Sequence, residues 1–276
     1  MGHYLAIDLG AESGRAIVGT LRAGHLTVDE LHRFPNTPVR EGEALFWDTK
    51  QLWKEIEKGI SIASKDRKLA LDGVGVDTWG VDIALLAANG ALIERPRHYR
   101  DPRNHAAMEK LFLVVPPEEV FAYTGIQHMQ INSLVQLYAM KLSKDPALDR
   151  ATRLLNIPDL FNYWLTGVAK SETTIASTTE FFSPSEMAWA TELLKRLDLP
   201  AEILCPLVPP GTRLGKMVEA PHAPVYATAG HDTAAAAPPR TLRHHHNHRE
   251  VAENPGPTPQ LRCQCPAALV PSRRRC

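Results

Sequence analysis

Cysteine is almost missing from the body of this 276-residue chain: of four, only Cys205 precedes residue 237. One thiol cannot build a disulfide framework, so a reducing compartment is expected. Long apolar runs are missing too. None reaches the ~18 residues that a membrane span needs. The N-terminus enters a strand-like run at once, with no basic region ahead of an apolar stretch, so no signal peptide is expected. Net charge is also absent, since 31 Lys and Arg balance 31 Asp and Glu. That balance hides an asymmetry. Residues 237–276 hold seven Arg, no Lys and two Glu, leaving 24 basic against 29 acidic residues in 1–236. A mildly acidic body offers nothing to nucleic acid. No internal repeat is visible. What remains is a cytoplasmic globular protein, long enough for one large or two ordinary domains.

The pattern that is present starts with strands. Three strand-like runs cover 3–9, 15–22 and 25–34, the second turning into the third at Ala23-Gly24. Leu52, Ile56, Ile60 and Ala63 recur at helical spacing and predict a helix over 49–65, capped by Asp48 or Thr49. A buried strand over 71–77 runs into Thr78-Trp79-Gly80, and another over 81–86 ends at an Asn89-Gly90 turn. Residues 104–200 read as mostly helical, with starts at Pro116-Pro117, Asn132, Asp145-Pro146 and Pro158. A Pro-rich connection over 206–211 leads to short strands near 213–218 and 224–228. Ala229 to Thr233 then opens a helix, with Asp232 or Thr233 near its cap. This order predicts an α/β fold whose mixed sheet starts as a three-stranded antiparallel meander and carries a helical insertion. A plain Rossmann unit would alternate strand and helix from the start, and the hairpin-first order argues against it.

Asp8-Leu9-Gly10-Ala11-Glu12-Ser13-Gly14-Arg15 joins the first two runs. It reads as a hairpin tip that holds phosphate. Gly10 and Gly14 let the backbone bend and approach a ligand. The N–H groups of the turn point at an anion. Ser13 adds a hydroxyl, Arg15 adds a positive charge, and Asp8 can hold magnesium through water. An ordinary polar turn fits the same residues, so the phosphate reading rests on motifs further along the chain.

Those motifs fall in order: Val76-Asp77-Thr78-Trp79-Gly80-Val81-Asp82, Tyr99-Arg100-Asp101-Pro102-Arg103, Gly125-Ile126-Gln127 and Asn132-Ser133-Leu134. Then come Pro158-Asp159-Leu160-Phe161, Leu165-Thr166-Gly167 and Ala229-Gly230-His231-Asp232-Thr233-Ala234. With the first turn they resemble the FGGY family of sugar kinases over residues 3–236, most closely its members that phosphorylate L-rhamnulose. The resemblance implies two actin-like, ribonuclease H-like lobes, with ATP between them and the sugar held mainly by the first lobe, which residues 1–236 would form. It implies ATP and magnesium as cofactors. Asp8, Gly10, Ala11, Glu12, Ser13, Gly14 and Arg15 would meet the phosphates, with Asp8 holding magnesium through water. Asp232 would be the base that takes the proton of the sugar's C1 hydroxyl. Gly80, His231 and Thr233 would contact the sugar beside it.

Several of these residues have a plainer reading. Asp232 also suits a helix cap, and one residue can fill both roles. His231 also suits a surface loop. Glu12 stands where many members place a small hydroxyl residue, so its backbone N–H rather than its carboxylate is expected at ATP. Trp79 reads as a pocket wall or as core. Asp77 and Asp82 read as sugar hydrogen-bonding groups, as orienting groups or as plain strand ends, and stay outside the expected site. Arg100 and Arg103 read either as facing the acidic cleft or the phosphates or, the favoured reading, as surface ion-pair partners of Asp101 or Glu94.

After Ala236 the pattern stops. Pro238-Pro239, His244-His245-His246-Asn247-His248 and Arg273-Arg274-Arg275 come in quick succession with no hydrophobic period, which predicts disorder. Four His with Cys263, Cys265 and Cys276 are metal-ligand types, yet their spacing matches no compact zinc module. A shifted reading frame or truncation is the favoured expectation, with the second lobe absent and activity low or nil. The leading function is an ATP-dependent kinase of L-rhamnose breakdown that makes L-rhamnulose 1-phosphate and ADP. A non-catalytic sugar-binding or interaction fragment is the competing one. A related kinase for xylulose, fuculose or glycerol stands third. Neither nucleic acid nor membrane is an expected partner.

Overall fold

Alternation along Gly2–Leu9 sets up the sheet. Leu5, Ile7 and Leu9 are buried while Tyr4 and Ala6 face outward, the period-2 pattern of a strand with one face in the core. This strand pairs antiparallel with Ser13–Arg22, which pairs antiparallel with His25–Pro35. The expected meander is therefore present. On its other edge the first strand takes Gly73–Thr78 in parallel, and that strand takes Pro224–Ala227 in parallel. Thr212–Lys216 closes the six-stranded mixed sheet antiparallel to Pro224–Ala227. The computed structural model describes residues 1–236. The expectations for residues 237–276, including disorder, metal binding and a shifted frame, lie outside the described residues.

Helix Thr49–Ser61 packs on the meander through Leu52, Ile56 and Ile60, at about 1.5–3 kcal/mol for each side chain buried. Asp48 is its cap, the carboxylate accepting the Gln51 N–H at 3.1 Å. A side chain on Gly59 would start 2.5 Å from the Ala16 Cβ, so the glycine lets helix and strand approach closely. The α-helix ends at Ser61 rather than at 65 and widens into a π-helical turn over Ile62–Asp66.

The insertion has its own core around Leu111, Leu134, Leu137, Phe181 and Leu193. Its helices Pro117–Thr124 and Ile157–Thr166 start with proline in the first turn and end on left-handed Gly125 and Gly167. The insertion is less purely helical than expected. Arg153–Asn156 is a strand and pairs antiparallel with Ile83–Leu86. The strand expected over 81–86 has thus left the main sheet, because Val81 turns the chain with φ 69°. Leu207–Val208, inside the Pro-rich connection, pairs with Ser171–Glu172. The last described helix, Asp232–Ala235, has Asp232 next to its cap as expected, with His231 rather than Asp232 at the cap position itself. No described helix is long and apolar enough to cross a membrane.

Candidate functional site

Parallel strands end together. Leu9, Thr78 and Ala227 close three strands that run side by side with the same direction. In open α/β sheets ligands sit beyond such carboxyl ends. Here the loops are tied to one another: the Trp79 N–H donates to Leu9 O at 3.1 Å, and the Thr78 N–H to Gly230 O at 2.9 Å.

The first loop is held from outside. Gly10 N–H donates to Ser13 O at 2.9 Å. Buried Asn36 donates its N–H to Glu12 O and its side-chain Nδ2 to Gly10 O, both at 2.9 Å. Ala11 and Glu12 keep N–H groups without an acceptor among the described residues, and the Glu12 side chain is exposed. The two glycines differ. A side chain on Gly10 would meet nothing closer than 3.4 Å, so its smallness serves no internal packing. One on Gly14 would start 2.3 Å from the Phe34 ring. Gly14 is a packing glycine of the strand, which corrects its reading as a bend.

Charge gathers beside this loop. Strand register sets Arg15 opposite Asp8, and the guanidinium bonds the Asp8 carboxylate. The parallel register sets Asp77 next to Asp8 on the other side. Burial pushes the Asp77 carboxyl up to about 7, helped by the negative charges of Asp8 and Asp232. Asp77, which was expected to stay outside the site, therefore stands among the acids next to it. A signal was there: Gly2–Leu9 and Gly73–Thr78 each carry an Asp one residue before their end.

Asp232 opens the short helix with its side chain 43% exposed. Its Oδ1 accepts from the Thr233 N–H at 2.6 Å and the Thr233 hydroxyl at 3.2 Å, with His231 Nε2 at 3.3 Å. Its Oδ2 takes no hydrogen bond from the described residues, so it is available as a proton acceptor. A side chain on Gly80 would start 3.2 Å from His231 Nε2, so the glycine brings its backbone against the imidazole. Gly80, His231, Asp232 and Thr233 are thus brought together, with Asp8, Asp77 and Arg15 nearby.

Glu172 holds this loop and was not foreseen. Buried, it accepts the Gly230 N–H at 2.9 Å, the Thr174 N–H at 2.7 Å and the Ile175 N–H at 3.2 Å. Asp159 lies behind it, accepts the Glu172 N–H at 3.2 Å, and is raised well above the usual range by burial and by Glu172's charge. Glu172 also caps the short helix Thr173–Ala176, although Glu is not among the usual capping residues, so no strong local signal announced it.

A hollow of about 650 Å³ opens at the loops, bordered by Ala11, Trp79, Gly80, Thr178, His231 and Asp232. Trp79 proves to be both wall and core, with its indole N–H donating to Asp82 at 2.8 Å. Asp82 stays outside, fully buried, also accepting from Trp47 and Gln136, and is pushed to about 7 by burial. Arg100 does not pair with Asp101 or Glu94: it lies 5.3 Å from the centre of the Tyr99 ring and borders the hollow. Arg103 does pair, with Asp101 at 3.9 Å and Asp145 at 3.6 Å, but from a side chain only 19% exposed rather than from the surface.

A family model described as the N-terminal domain of the FGGY family of carbohydrate kinases matches residues 3–237. A rhamnulokinase of Bacteroides thetaiotaomicron is 38% identical over 241 residues, 85% of this chain and 50% of that protein. A rhamnulokinase of Pectobacterium atrosepticum is 39% identical over 239 residues, 85% of this chain and 48% of that protein. Among solved structures, a ligand-bound xylulose kinase of Lactobacillus acidophilus superposes with TM-score 0.73 at 14% identity, over 83% of this chain and 49% of that one. That likeness shows the fold, an actin-like ATPase lobe. The chain spans about half the length of the curated relatives it matches.

Proposed function

Since the chain belongs to the FGGY family of carbohydrate kinases, we propose that residues 1–236 seat a ketose beside Asp232 and the phosphates of ATP on the turn Gly10–Ser13. The sugar is L-rhamnulose, and the transfer gives L-rhamnulose 1-phosphate and ADP in L-rhamnose breakdown; the support for this choice is the similarity to two rhamnulokinases. One observation carries the reading. A carboxylate with an unused oxygen, Asp232, borders the same hollow as Ala11 of the phosphate turn.

The residues divide the work. Asp232 Oδ2 takes the C1 hydroxyl proton, while Thr233 and His231 fix the rotamer through Oδ1. Gly80 gives the sugar access to the backbone next to His231. The Ala11 and Glu12 N–H groups and the Ser13 hydroxyl meet phosphate oxygens, with Arg15 adding charge. Magnesium fits the donor set, which is carboxylate oxygen. Among the described residues no three ligand side chains form a cage, which favours a hydrated ion held by Asp8 through water. Bound there, the ion would offset phosphate charge. ATP as phosphate donor sets the reaction in the cytoplasm.

The second reading is sugar binding without turnover, for which the residues gathered at the hollow, Gly80, His231 and Thr233, would suffice. Titration calorimetry with L-rhamnulose and a coupled assay of ADP release separate the two. Binding with sugar-dependent ADP release supports the kinase, and binding alone supports the fragment. Binding of xylulose, fuculose or glycerol in place of L-rhamnulose reassigns the substrate. Binding of none of them overturns both readings.

A further inference from the structure

Val81 has a backbone that a β-branched residue rarely adopts, φ 69°, and it borders the hollow directly after Gly80. Such strain persists only where the surroundings impose it, and it clusters at functional sites. The surroundings here do impose it. The Val81 N–H donates to Thr178 Oγ1 at 3.0 Å. Its carbonyl accepts from the Ser133 hydroxyl and from Gln136 Nε2, the latter at 3.4 Å. The same Gln136 nitrogen donates to Ile131 O at 2.9 Å, which sets Ile131 beside Val81.

Ile131 ends a loop that runs from Gly125 and is fixed through its polar groups. Asn132 Nδ2 donates to Gln127 O and the Asn132 N–H to Met129 O, both at 3.0 Å. His128 Nδ1 bonds buried Glu180 Oε1 at 2.5 Å. The apolar side chains Ile126, Met129 and Ile131 border the hollow together with Val81. The loop thus sets three apolar side chains on the hollow next to Val81, with Gln127 and Asn132 as its polar members there.

We propose that Val81, with Ile131 and Met129, is a specificity-determining seat for the end of the sugar remote from the reacting hydroxyl. It accepts a methyl group and disfavours a hydroxymethyl group, so the substrate class is a 6-deoxyketohexose. The proposal rests on the hollow being the sugar site. A hydroxyl placed on apolar surface loses its water partners and gains none.

L-rhamnulose and L-fructose differ only by the C6 hydroxyl, and calorimetry on the full chain compares them. L-rhamnulose is expected to bind about tenfold to a hundredfold more tightly, the scale on which an apolar pocket rejects an added hydroxyl. Val81→Asn puts a polar side chain of similar size there, and asparagine tolerates a left-handed backbone. It should bring the affinity ratio to within about threefold of unity without lowering the melting temperature. Ile131→Thr, on a partly exposed residue, should shift the ratio the same way and serves if the first variant fails to fold. A purely structural Val81 would change both affinities together and leave their ratio alone, which overturns the proposal. Equal affinities in the unmodified chain also overturn it while leaving the sugar site standing. Binding of neither sugar removes the sugar-site reading itself, and this inference with it.

Discussion

Asp77→Asn is expected to stabilise the protein, in a pH-dependent way that reports the crowding of carboxylates at the strand ends. Asp77 titrates near 7 in the fold because it is largely buried and faces Asp8 and Asp232, against 3.8 for a free side chain. A gap of about three units at 1.36 kcal/mol each sets a ceiling of about 4 kcal/mol. Solvent at the open edge of the cleft screens part of this, leaving about 2 kcal/mol. The sign is set by the raised value. The proton on Asp77 favours the fold, so its contribution is intact below about pH 4. It is lost as pH climbs towards about 7 and is constant above that. Asparagine has the same shape and no charge. Melting curves for the two proteins should coincide near pH 4, separate up to pH 7 and run parallel beyond, with the variant about 4–8 °C higher. Asp82, also near 7, lowers both curves alike, so the difference isolates Asp77. Parallel curves over the whole range, or a less stable variant at pH 8, would refute the electrostatic account.

Three further outcomes are expected. Asp232→Asn should hold L-rhamnulose within about threefold of the unmodified affinity by calorimetry, while sugar-dependent ADP release falls by about 10²–10⁴ in the coupled assay. Glu172→Ala strands the N–H groups of Gly230, Thr174 and Ile175, so chemical denaturation should show a loss of about 3 kcal/mol or more, with weaker sugar binding because the Asp232 loop loses its anchor. Gly14→Ala drives a methyl into Phe34 and should cost about 1–3 kcal/mol in the same measurement. Nucleotide affinity, read by a fluorescent ATP analogue on the folded fraction, should stay within about twofold, since Gly14 acts inside the sheet.

How much of this was legible depends on distance along the chain. The meander was, because period-2 burial in Gly2–Leu9 and a two-residue turn at Ala23-Gly24 are local. The helix after Asp48 was legible for the same reason, although its π-helical end was not. Asp8, Gly80 and Asp232 came from ordered phrases, and resemblance supplied their roles where residue chemistry left a turn, a close approach and a cap open. The features beyond that reach are contacts between distant segments. Asp77 comes beside Asp8 through a parallel register with a strand that ended at Leu9, and the Asp placed one residue before each of those two strand ends hints at the pairing without fixing it. Glu172 caps its own short helix, and only the fold brings Gly230 to its second oxygen. Val81 is a poor candidate for a left-handed backbone, and its conformation is fixed by Thr178, Ser133 and Gln136 from the insertion. The last two misses share a cause. Strand ends from the sheet supply the acids and the turn, while the insertion supplies the groups that hold them in place. Sequence pattern reports the first set through periodicity, whereas the second set is chosen by what it must reach across space. A search for support residues should therefore begin from the loops that need holding and look outward for buried side chains whose own helix or strand does not use all of their bonding capacity.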